Sequence, residues 1–114
     1  MSLLGRLMGG GDIPEVDADE AKRRQDAGAL VVDVREPDEW AAGHVVGALH
    51  IPLGTLSSRS QELPADRELL FICRSGNRSL TGAKQARSAG RDHVASIAGG
   101  TVAWIRHGLP VERG

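Results

Sequence analysis

The chain has a single cysteine, Cys73, and that isolation excludes a good deal. No internal disulfide framework can form. A group loaded onto Cys73 cannot be discharged by a second cysteine of the same chain, so its acceptor must come from outside. The four histidines, at positions 44, 50, 93 and 107, lack paired metal-ligand spacing, and one thiolate cannot complete a thiolate-rich zinc site. Neither a metal nor another cofactor is expected. Strong charge of either sign is missing too. A formal net charge of -1 gives no global attraction for nucleic acid or for an anionic membrane, so any attraction for anions is local. Long hydrophobic runs are also absent, and no segment reads as a membrane span. The opening Met1–Met8 is too short for a secretory core and has no cleavage-like site, so a cytoplasmic location is expected.

What is present fits one ordinary domain. Apolar residues make up 40% and charged residues 25%, and 114 residues support one core but not two. Gly9-Gly-Gly11 sets off residues 1–11 as an expected flexible tail, with 12–114 as the domain. Leu3, Leu4, Leu7 and Met8 would offer a partner a small apolar face, but a frayed terminus is the simpler reading. Asp17 followed by Glu20 has the spacing of a capping box and predicts a helix over 18–26. That helix has only Ala18 and Ala21 to face inward, and its Lys22-Arg23-Arg24 run reads as a solvated face rather than a docking patch. Leu30 to Val34 reads as a buried strand. Pro37 with acidic neighbours predicts a helix start, and Val94 to Ile97 reads as a last strand. Strands alternate with helices, so the fold class is α/β, a small open parallel sheet with helices on both faces.

One stretch carries the chemistry. Leu69, Leu70, Phe71 and Ile72 form an apolar run suited to a strand buried on both faces. Cys73 follows, then Arg74, Ser75, Gly76, Asn77 and Arg78, which cannot continue a strand, and then a helix predicted from Ser79 to Ala89. A strand-to-helix junction gathers peptide N–H groups with no intrahelical partner, and the helix dipole adds positive potential. With Arg74 and Arg78 as flanking cations, a thiol there should ionise easily and act as a nucleophile.

These residues carry a resemblance. Cys73-Arg-Ser-Gly-Asn-Arg78-Ser79 resembles the active-site loop of the rhodanese superfamily, the thiosulfate and polysulfide sulfurtransferases. Val31-Val-Asp-Val-Arg35 through Gly43-His-Val-Val-Gly47 to Pro52 resembles that family's N-terminal signature. Gly99-Gly100, Trp104 and Gly108-Leu-Pro110 resemble its C-terminal one. The resemblance implies a sheet of about five strands. It also implies Cys73 and Arg78 as catalytic residues, with Arg74, Ser75, Gly76, Asn77 and Ser79 binding the substrate.

Other residues have competing readings. Asp33 and Arg35 would bind substrate at the sheet edge, or tie loops together there; the second is preferred, and the resemblance agrees. His44 is attractive as a general base, yet an ionised thiol needs none, so a structural role is preferred. Trp40 reads as core or half-core. His50 stands where many relatives carry Asn, and Arg91 where many carry an apolar residue, which suggests a thinner cover on that part of the core. Gly99-Gly100 lacks the lysine and spacing of a phosphate loop and reads as a turn into the last helix.

The expected function is sulfur transfer. An anionic small-molecule sulfur donor such as thiosulfate would load Cys73 as a persulfide, and cyanide, a small thiol or a protein thiol would accept the sulfur. A persulfide carrier or regulatory module serving a protein partner is the alternative. Phosphatase or arsenate chemistry is disfavoured, because those loops place arginine six positions after the cysteine, where this chain has Ser79.

Overall fold

The computed structural model describes residues 12–114; the expected tail, 1–11, lies outside them. The chain runs through β1 (Glu15–Val16), α1 (Ala18–Asp26), β2 (Leu30–Asp33), α2 (Pro37–Ala42), β3 (His44–Val45), β4 (Leu49–His50) and α3 (Leu53–Leu56). A 3₁₀ helix (Ser57–Glu62) continues α3, followed by β5 (Leu69–Ile72), α4 (Asn77–Ser88), β6 (Val94–Ile97), α5 (Gly100–Arg106) and β7 (Val111–Glu112).

Among the described residues, five strands form a parallel sheet in the order β1-β6-β5-β2-β4. β5 lies at its centre, with Leu70 level with Val31 on one side and Ala95 on the other. Its unbroken apolar sequence follows from this position, because successive side chains point to opposite faces and both faces are covered. Leu69, Phe71 and Cys73 pack with Leu56 of α3 and Ala83 and Ala86 of α4. Leu70 and Ile72 pack with Ala18 and Ala21 of α1 and Trp104 of α5. α4 lies close to the sheet at Gly82, where a Cβ would stand 3.2 Å from Val34 Cγ1 and 3.3 Å from Phe71 Cδ2. That close approach compensates for a glycine inside a helix.

Local expectations hold in most elements. Asp17 caps α1 by accepting from the Glu20 amide at 2.8 Å, but only half of the capping box forms, because the Glu20 carboxylate turns to Arg23 and Arg24. Arg24 also bonds Glu68 at 2.7 Å, and Lys22 pairs with Asp26, so acidic neighbours balance the basic run. Trp104 is fully buried and its indole N–H donates to the Pro110 carbonyl at 3.0 Å. Arg91, expected to leave a thinner cover over the core, brackets the Leu63 carbonyl with two N–H donors at 3.0 and 2.8 Å. It closes that corner by hydrogen bonding instead of by apolar cover.

Two features depart from the expected arrangement. The segment after Gly43 forms two short strands instead of one element, divided at Gly47, whose φ of +85° turns the chain. Its first part, β3, pairs antiparallel with β7 in a separate ribbon, and its second, β4, edges the main sheet. α4 begins at Asn77, two residues before the predicted start, because Gly76 at φ +115° ends the loop early.

Candidate functional site

Cys73 directly follows β5, at the end of the central strand, and its residue surface is 1% exposed. The chain then turns through Arg74, Ser75 and Gly76 into α4, which directs the amides of Ser75, Gly76 and Ser79 at the sulfur. The Gly76 amide donates to Cys73 Sγ at 3.1 Å, and Ser79 Oγ lies 3.5 Å from the same sulfur. Burial pushes the thiol pKa up. The Ser79 hydroxyl, then the amides of Ser79, Gly76 and Ser75, pull it down further than burial raises it, so the thiol ionises below its usual range. Hydrogen bonds, more than the flanking arginines foreseen from sequence, supply this effect.

The other loop residues divide by direction. Arg74 and Ser75 are exposed, Asn77 is exposed as the first residue of α4, and Ser79 is fully buried. Arg78 has a partner that sequence reading did not suggest. Its guanidinium forks onto Glu39 of α2, with Nη1 donating to Oε1 at 2.7 Å and Nη2 to Oε2 at 2.9 Å. Glu39 also accepts from the Glu36 amide at 3.0 Å. The Arg78 bonds, joined by the Glu36 amide, hold the Glu39 carboxyl down at about 2 against the opposing effect of burial. The bond to Glu39 is likewise what chiefly raises Arg78, with the nearby Cys73 charge a lesser contribution.

The loop backbone is fixed from the far side by α5. Thr101 N–H donates to the Cys73 carbonyl at 2.8 Å and Val102 N–H to the Arg74 carbonyl at 3.2 Å. Gly100 makes this approach possible: at φ +56°, a Cβ there would sit 2.3 Å from the Cys73 carbonyl oxygen and 2.5 Å from the Arg74 carbonyl. The glycine pair does turn the chain into the last helix, as expected, and Gly100 is in addition part of the site's construction. Ser96 of β6 was also missed. It is buried, and its Oγ lies 2.7 Å from Ser79 Oγ. The available signal was one polar residue in an otherwise apolar strand.

The remaining candidates are structural in their contacts. Asp33 and Arg35 form a buried pair, Nη2 to Oδ2 at 2.8 Å and Nε to both oxygens at 3.0 Å, and Arg35 also donates to the Gly43 carbonyl at 2.7 Å. His44 stacks on Trp40 with centroids 3.5 Å apart, its Nδ1 is 2.9 Å from the Trp40 carbonyl and its Nε2 3.5 Å from Glu112. His50 also stacks on Trp40, and its Nε2 lies 2.8 Å from the Arg35 carbonyl, which gives this residue a physical role in the Arg35 turn. Among the described residues, no helix is long and apolar enough to cross a membrane.

Fold and site together define a class: a parallel α/β domain that presents a hydrogen-bonded thiol at the end of its central strand. Comparison with known proteins gives the family. The Rhodanese-like domain matches residues 17–107, and the chain belongs to that family. It is 36% identical over 101 residues to a sulfurtransferase of Allochromatium vinosum, covering 87% of this chain and 94% of that one. It is 34% identical over 94 residues to the putative sulfur carrier protein YrkF of Bacillus subtilis, covering 81% of this chain but only 51% of that protein. The crystal structure of a rhodanese-related protein from Thermoplasma volcanium superposes with a TM-score of 0.80 at 29% identity, covering 87% of this chain and 97% of that one.

Proposed function

We propose that this protein transfers sulfane sulfur through a persulfide on Cys73. The observation that carries the reading is the Gly76 amide 3.1 Å from Cys73 Sγ, in a loop whose amides and hydroxyl stabilise a thiolate. The thiolate attacks the outer sulfur of thiosulfate or a related donor. A new sulfur–sulfur bond forms to Cys73 while the donor's own breaks, and sulfite leaves with the electron pair. The loop amides then stabilise the persulfide anion. Cyanide, a small thiol or a protein thiol attacks the terminal sulfur, and the Cys73 thiolate departs as the leaving group.

Arg74 is exposed and able to draw in an anionic donor. Arg78, gripped by Glu39, orders the start of α4 and adds positive potential, a different task from direct contact with the leaving sulfite. This also weighs against phosphatase chemistry, which needs an arginine turned into the loop towards a tetrahedral oxyanion.

A second reading has its own support. The same buried, hydrogen-bonded sulfur would shelter a persulfide from loss to solvent, as a carrier that holds its sulfur for a protein acceptor requires. The sulfur-carrier name of the Bacillus relative points the same way.

The test is intact mass after incubation with thiosulfate. One added sulfur, removed by dithiothreitol and absent from Cys73→Ser, is expected; no addition would overturn sulfur transfer. Steady-state thiocyanate formation separates the two readings, since stoichiometric loading with negligible turnover identifies a carrier.

A further inference from the structure

The sulfur of Cys73 belongs to a hydroxyl chain that leaves the loop and ends on the sheet. Ser79 Oγ has three neighbours: Cys73 Sγ at 3.5 Å, the Gly76 carbonyl at 3.0 Å and Ser96 Oγ at 2.7 Å. A hydroxyl donates one hydrogen bond and accepts two. With Cys73 as a thiol, all three positions are filled when Ser79 donates to the Gly76 carbonyl and accepts from both the thiol and Ser96. When Cys73 ionises, its proton passes to solvent, and the Ser79 hydrogen is free to turn from the carbonyl to the sulfur. With that hydrogen engaged in either direction, Ser96 is the donor to Ser79 in both arrangements.

We propose that Ser96 is a positioning residue for the Cys73 sulfur: by donating to Ser79 Oγ it holds that oxygen in place and leaves the Ser79 hydrogen to serve the thiolate. Donation into Ser79 polarises its O–H and makes it a stronger donor, as in any hydrogen-bonded chain. Ser96 is suited to the task because it lies on a buried strand next to β5, level with Phe71, and is 1% exposed. Its hydroxyl bonds Ser79 and reaches the sulfur only through that residue. Of the charged groups, Arg78, held by Glu39, interacts with the Cys73 charge, Arg74 directly follows Cys73 in the chain, and the buried Asp33–Arg35 pair closes β2, the strand beside β5. Residues 96–102, from β6 into α5, bring no titratable side chain.

The proposal rests on Cys73 being a reactive thiolate, and alkylation by iodoacetamide tests both without any sulfur donor. If wild-type protein reacts only at the pH of a free thiol, the thiolate reading itself fails. If wild type reacts early, Ser96→Ala should slow alkylation at neutral pH by about two- to fivefold while the rate at high pH stays unchanged. Ser96→Thr should restore the neutral-pH rate and the isosteric Ser96→Val should not, a pair that remains informative if Ala destabilises the strand. In a Ser79→Ala background, Ser96→Ala should add nothing. A wild-type profile in Ser96→Val, or an equal loss with and without Ser79, would overturn the assignment.

Discussion

Glu39 and Arg78, 39 residues apart in the chain, form a two-pronged clamp between α2 and the first turn of α4. Through it the acidic turn that follows β2 is fastened to the loop that carries the thiol. The clamp predicts a specific acid response. The Glu39 carboxyl is lowered from an ordinary 4.5 to about 2, so its contribution to stability is complete above 4.5 and is lost as pH falls through about 2. The partly exposed pair contributes on the order of 1 kcal/mol after solvent screening. Denaturant unfolding as a function of pH should show wild type losing this increment between those values, and Glu39→Gln lacking it from the start. Parallel curves for the two proteins would contradict the clamp.

Removing the hydroxyl nearest the sulfur should be felt in the chemistry before the fold. Ser79 is the foremost of the groups that lower the Cys73 pKa, so Ser79→Ala raises it. Charge-assisted hydrogen bonds of this kind support roughly a tenfold effect on thiolate population. Stopped-flow alkylation across pH should show the half-maximal rate moving upward, and an unmoved profile would leave the loop amides as the whole cause.

Gly100→Ala should be far more damaging than Gly90→Ala, although both glycines have positive φ, +56° and +91°. At Gly90 a Cβ meets nothing within 4 Å, so only the conformational cost of about 1–2 kcal/mol applies. At Gly100 the methyl would collide with the Cys73 and Arg74 carbonyls. A further loss of about 2 kcal/mol is expected from overpacking, together with loss of rapid alkylation. Equilibrium unfolding of the two variants makes the comparison.

Arg35→Ala should unfold the domain more readily than it alters the thiol. It leaves the fully buried Asp33 carboxylate without its partner, a change worth about 3–5 kcal/mol. Thermal melting should show a large drop, whereas alkylation of the fraction still folded should keep its wild-type pH dependence. The reverse pattern would return Asp33 and Arg35 to the substrate site.

The parts of this protein that were legible in sequence are those written locally. Leu69 to Ile72 announced the central strand by unbroken apolarity, and Ser75 and Gly76 announced the turn, whereas Asn77, read as part of it, opens the helix. Asp17 announced a cap. The architecture followed from alternation, the preference for a structural Asp33 and Arg35 from how few cations one anion needs, and that for a structural His44 from an ionised thiol needing no base. What stayed hidden depends on residues meeting across the fold. Glu39 looked like one acid among several at a helix start, and nothing in its neighbours pointed to Arg78. Ser96 looked like a lapse in an apolar strand until β6 lay beside β5. Gly100 looked like a turn residue because the carbonyls it accommodates are 26 and 27 positions earlier in the chain. The β3–β7 ribbon was hidden for the same reason, since each half is two residues long and neither has a pattern of its own.

The alternation along β5 also governs which changes of length the gene can tolerate. Leu69, Phe71 and Cys73 face one helical layer, and Leu70 and Ile72 the other. Deleting one codon within 69–72 would therefore rotate the sulfur to the α1 and α5 side, away from Ser79, even if the sheet itself survived. Insertions and deletions should instead be confined to the exposed turn at 65–67, where added length leaves the parity between the sheet and the thiol unchanged.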